Sequence, residues 1–144
     1  MKIAWLPLLL TMSLPLPALS GGDTRQRIKL PEPMRQHMLA NMRDHLAALH
    51  EIQQGLGTGA FAQAAKTAET RIGMSSLASH GAAHMAPHMP EAMRAIGSRM
   101  HTAASRFAVI AEETAVDGNS ARAMAALSEV TALCVACHAG FRVH

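Results

Sequence analysis

Near its C-terminus the chain reads Cys134-Val135-Ala136-Cys137-His138, and these are its only two cysteines. The spacing is that of covalent c-type haem attachment. Each thiol adds to one vinyl group of the haem, and the imidazole binds the iron as the proximal ligand. On a helix the three residues stand at i, i+3 and i+4, so one face of rigid backbone holds both porphyrin edge and metal. A thioredoxin-type redox pair would open a helix after a strand, and no strand-like run precedes the motif. A zinc site would want a second ligand pair at fixed spacing, and no second CxxC exists. Only six residues follow His138. A second axial ligand is therefore expected from upstream, which excludes the layout in which the motif comes early and a methionine ligand follows.

The N-terminus agrees with such chemistry. Residues 1–20 read as a secretory signal: Lys2 is the charged start, Ile3 to Leu16 a short apolar stretch broken by Pro7 and Pro15, and Ala18-Leu19-Ser20 a small-residue cleavage site before Gly21. The run is too short and too proline-broken for a membrane span of about 20 helical residues, so no span is expected after cleavage. Covalent haem attachment in bacteria takes place outside the cytoplasm, and the expected location is the periplasm. The mature chain, 21–144, is one domain's worth of sequence. Without Lys2 it carries 12 basic against 10 acidic residues, a formal +2. With no basic cluster and no aromatic platform for base stacking, nucleic acid is not an expected partner. Aromatics are scarce: after the leader only Phe61, Phe107 and Phe141 remain. A core of Ala, Leu, Ile and Met packs thinly, and a buried haem would supply the missing bulky flat group.

Periodicity predicts an all-α domain. Residues 21–30 read as a mobile polar lead-in. Pro31 and Pro33 open a first helix over about 33–54, with Leu39, Met42, Leu46, Leu49 and Ile52 on one stripe. Gly55 to Gly59 end it. A second helix spans about 60–79, with Phe61, Ala65, Ala68, Ile72 and Leu77 inward. After a broken segment at 80–90, a third helix runs over about 90–116, placing Met93, Ile96, Met100, Ala104 and Phe107 on one stripe, with Ile110 or Ala111 continuing it. Ser120 is the N-cap candidate for a fourth helix over about 121–142, which carries the haem motif. Short connections favour antiparallel neighbours, hence an up-down-up-down four-helix bundle around one covalently attached haem.

The chain resembles the cytochrome c-prime family, the class II c-type cytochromes, across nearly all of its mature length. Two stretches carry the resemblance. Glu129 to Arg142 is similar to the family's last helix, which ends in CxxCH, two residues, an aromatic and an arginine. Arg35 to Ile52 is similar to its first helix, with Ala48-Leu49-His50-Glu51-Ile52 matching an Ala-Leu-x-x-Ile run without a gap. The resemblance implies thioether roles for Cys134 and Cys137 and the proximal role for His138. It implies Arg142 near the proximal face, Arg35 near a propionate, and Leu39 at the distal position. Phe141 stands where relatives carry tyrosine, so a hydroxyl is lost. The family is often dimeric through its first two helices, which implies a homodimer.

The distal ligand divides the expectations. Leucine at the distal position leaves the iron five-coordinate and open to small gases such as nitric oxide and carbon monoxide. Met38 precedes Leu39, and Met42 lies one helical step on. A thioether from either would raise the potential and favour simple electron transfer with a periplasmic partner protein. Core packing is the competing role for these methionines. His37 and His45 are weaker candidates, since nothing in their spacing favours ligation. A separate cluster spaces His80, His84 and His88 by four, and Met85, Met89 and Met93 likewise. Imidazole and thioether suit copper, though Pro87 and Pro90 interrupt the helix that would align them. No acid–base pair or nucleophile constellation is evident, so the leading expectation is a monohaem carrier of one haem c rather than an enzyme.

Overall fold

The computed structural model describes residues 22–144; the leader and its cleavage point lie outside the described residues. The described residues are mostly helical and form five α-helices: α1 (Glu32–Thr58), α2 (Phe61–Arg71), the single turn α3 (Ala82–Met85), α4 (Glu91–Asp117) and α5 (Ser120–Gly140). At 1.5 Å per residue, α1 and α4 are each about 40 Å long. Proline precedes both, Pro31 and Pro90, and an acidic residue follows in each first turn, Glu32 and Glu91, which suits the positive end of the helix dipole. Both end on a left-handed glycine, Gly59 at φ 77° and Gly118 at φ 71°. Asn119, not Ser120, caps α5: its side chain accepts the Arg122 backbone N–H at 3.2 Å.

Helix α1 runs past its expected end at Gly55. That residue is buried against α2, and a Cβ there would stand 3.0 Å from the Cβ of Ala64 and 3.1 Å from the carbonyl oxygen of Ala60. The glycine permits close helix approach rather than a turn. Helix α2 stops at Arg71, well short of residue 79, and a 3-10 turn at Met74–Ser76 follows. Glu69 fixes that turn by accepting the Ser75 backbone N–H at 3.1 Å, and Ser105 of α4 accepts the Met74 N–H at 2.9 Å. Arg71 ties the end of α2 to α1, reaching Asp44 at 2.5 Å and Glu51 at 2.7 Å.

Gly73 shows how tight this corner is. A Cβ would lie 2.5 Å from Oε2 of Glu69 and 2.8 Å from both the Glu69 carbonyl oxygen and Oγ of Ser105. Gly73→Ala is therefore expected to lower stability by about 1–3 kcal/mol, as overpacking does. Urea unfolding measures this, and a midpoint unchanged from the parent would contradict it.

The lead-in is not a free tail. Strand β1 (Gln26–Arg27) pairs in parallel with β2 (Phe141–Arg142), and the Ile28 N–H donates to the Arg142 carbonyl at 2.8 Å. Ile28 is buried and anchors the mostly polar N-terminal segment beside the end of α5.

Helix α1 packs along α2, α2 along α4, and α4 along α5, whereas α1 and α5 meet at few places. The core between them is largely alanine from all four helices, closed around Ile52, Ile72, Leu127, Val130 and Phe107. Phe107 is wholly buried, while Phe61 and Phe141 are half-buried. On α1 the buried stripe is Met38, His45, Ala48, Ile52 and Leu56. From Met38 to Ala48 it sits one residue N-terminal of the expected stripe, which it rejoins at Ile52, and Leu46 is 71% exposed.

Candidate functional site

Where α1 and α5 fail to close on each other, a cavity of about 730 Å³ opens. One wall is the end of α5. Cys134, Cys137 and His138 all line it, as their i, i+3, i+4 spacing requires. Both cysteines are free and half-buried, and His138 is exposed, at the mouth. Burial pushes both thiols above their ordinary pKa, Cys134 further helped by the neighbouring Cys137. They are protonated thiols near neutrality, unlike the low-pKa thiolate of a redox CxxC.

The α1 wall comprises Met38, Asn41, Met42, His45, Leu46 and Leu49, one stripe at three- and four-residue steps. Met38 is buried and Met42 half-buried. Leu39, the expected distal residue, is half-buried but does not line the cavity, whereas Met42, Leu46 and Leu49 of the same expected stripe do. Arg35 and Arg142 do not line it either. Arg35 is held by Glu32 at 2.7 Å, and Arg142 pairs with Asp23 at 3.3 Å. Arg94 of α4 is instead the arginine on the cavity wall.

Helix α4 also contributes Met93, Ile96, Gly97, Met100 and His101. A Cβ on Gly97 would meet nothing within 4 Å, so packing inside the chain does not call for glycine there. Glycine in a helix interior costs about 1 kcal/mol relative to alanine, and a flat group lying against α4 would account for it. The size, the apolar lining and the paired thiols with an imidazole on one wall all fit a covalently held haem.

The 80–93 cluster is divided by the fold. Met85, Met89 and Met93 line the cavity, whereas His84 and His88 do not line it and are exposed. His37 is exposed beside Gly81, clear of the cavity. His80 instead joins two histidines from other elements. His45, His80 and His101 stand together on the inner wall, with ring centroids 4.7, 5.5 and 6.1 Å apart. Their positions along the chain carry no common period, so only the tertiary fold brings them together.

His45 is 6% exposed. Burial first, then the neighbouring His80 and His101, push its pKa from 6.5 down to about 4. Asp44 opposes this shift, and Arg71 adds to it. The folded state holds His45 neutral, while the unfolded chain takes up a proton below about pH 6.5. Stability is therefore expected to fall as pH drops from about 6.5 to about 4, by roughly 3 kcal/mol, and to level off below. Urea titrations across that window check it: His45→Gln should flatten the profile, and parallel profiles for parent and variant would contradict the assignment.

Comparison with protein-family models, with curated proteins and with solved structures returns no match for this chain.

Proposed function

We propose that this chain is a periplasmic monohaem c-type cytochrome, an electron carrier rather than an enzyme. In this reading α1, α2, α4 and α5 form an antiparallel up-down-up-down bundle around one haem c, in the manner of the cytochrome c-prime family. One juxtaposition carries the proposal: Cys134, Cys137 and His138 share a single wall of a large apolar cavity to which α1 brings Met38 and Met42. Bound there, haem supplies one-electron exchange between Fe(II) and Fe(III).

The chain's own residues do the rest. Cys134 and Cys137 hold the ring edge, and His138 offers the proximal nitrogen. The lining from α1 and α4 excludes water, and Gly97 leaves room for a planar group. Arg94 is the cation available to a carboxylate. Met38 and Met42 are the thioether donors on the α1 wall, and thioether ligation raises the potential. Their position, with Leu39 off the wall, favours the carrier over a gas-binding protein with an open distal face.

Absorption spectra of the haem-loaded protein test this reading. A low-spin ferric spectrum with a thioether charge-transfer band, unmoved by carbon monoxide on reduction and lost in either Met38→Ala or Met42→Ala, is the expected result. A high-spin spectrum that shifts readily with carbon monoxide would overturn it in favour of gas binding.

A further inference from the structure

We propose that His45, His80 and His101 form a second metal site, a three-imidazole site for a divalent first-row transition-metal ion such as zinc or copper. The three come from α1, the segment after α2, and α4, and all line the inner wall of the cavity.

The hydrogen bonds around them fix which nitrogens are free. Nδ1 of His101 lies 2.5 Å from the Ile72 carbonyl oxygen. A carbonyl only accepts, so this nitrogen carries the proton and Nε2 keeps its lone pair. Nδ1 of His80 lies 3.3 Å from Oγ of Ser76. That hydroxyl donates its one hydrogen to the Gly73 carbonyl at 2.7 Å, so it accepts from His80, whose Nε2 is again free. The His80 backbone is held as well, its carbonyl accepting from the Asn41 amide at 3.2 Å. Metal-binding histidines are oriented in this way: the distal ring N–H is given to a carbonyl or hydroxyl, and the remaining nitrogen faces the ion. The third ring supplies the independent observation. Nε2 of His45 is buried with no hydrogen-bond partner, and an unpaired buried polar group costs about 1–3 kcal/mol. A bound cation would satisfy it.

The spacing also suits an ion. Imidazoles bound at about 2.0–2.1 Å in tetrahedral geometry set their ring centroids about 5 Å apart, against the observed 4.7, 5.5 and 6.1 Å. Among the described residues no three ligand-type side chains already converge on one bonding point. Closure therefore requires the His45 ring to turn toward the other two, and no partner restrains its Nε2. Imidazole nitrogens suit zinc, copper and nickel, and three protein ligands leave a fourth position toward the cavity.

The test is calorimetric titration of the full haem-loaded protein with zinc, then with copper(II). One equivalent is expected to bind. His45→Gln, His80→Gln and His101→Gln should each weaken it at least about tenfold, and Ser76→Ala should weaken it by about tenfold through the lost orienting bond. The double variant His84→Ala/His88→Ala should leave it unchanged. X-ray absorption at the zinc edge of the parent protein reads the ligands without any variant, and three imidazoles with no sulfur are expected. The proposal is overturned if no stoichiometric binding occurs, if only the His84/His88 variant abolishes it, if sulfur is found at the metal, or if His45→Gln shifts the haem spectrum as loss of an iron ligand would. A missing haem band strikes at the cytochrome reading and leaves the imidazole count to be scored by itself.

Discussion

Cys134→Ser/Cys137→Ser, made with its leader in a host that matures c-type haem, is expected to yield protein from which all haem extracts into acidified organic solvent. The parent should retain its haem through the same treatment. The two thiols are the only sulfhydryls in the chain, and both line the cavity, so no other residue can form a thioether. Each single variant keeps one attachment point and should hold haem in lower yield. The structural effect should be confined to the site, because serine is close in volume and neither cysteine belongs to the fully buried core. Denaturing gel electrophoresis with a haem stain reads the result. A double variant that still stains would remove the cysteines from the account.

Phe107→Ala is expected to be the most destabilising substitution in the core, by about 3–5 kcal/mol. Phe107 has no exposed surface and belongs to a core made largely of alanines from four helices. Those side chains are too short to collapse into the space a lost ring leaves, so both the transfer loss and the cavity loss are felt in full. Phe61, half-buried at the start of α2, should be affected much less by the same change. Guanidinium unfolding of the haem-loaded proteins makes the comparison. A Phe107→Ala loss no larger than that of Phe61→Ala would mean that the cavity, not this ring, organises the core.

The parts of this molecule that could be read from sequence are those whose information is local. Cys134, Cys137 and His138 fall together on α5, as their spacing predicts, and the prolines and glycines at 31, 59, 90 and 118 bracket the long helices. What escaped depends on contacts between distant segments. Gly55 reads as a breaker until its neighbour Ala64 is seen, and the short second helix is decided by the crowded corner at Gly73. Ile28 stands in a mostly polar tail, yet it anchors a strand pair with the far end of the chain. On the N-terminal half of α1 the buried residues are Met38 and His45 rather than Leu39 and Leu46, and a hydrophobic periodicity would place a histidine outside. The trio His45, His80 and His101 is the extreme case, since its members lie on three separate elements.

The central claim, that this chain covalently carries one haem, is tested most directly by the intact mass of the purified, exported protein under denaturing conditions. The account predicts a single species starting at Gly21 and heavier than the polypeptide by one haem, with the addition mapping to the peptide that contains Cys134 and Cys137. A mass equal to the bare polypeptide, from a host shown to mature another c-type cytochrome in parallel, would contradict it.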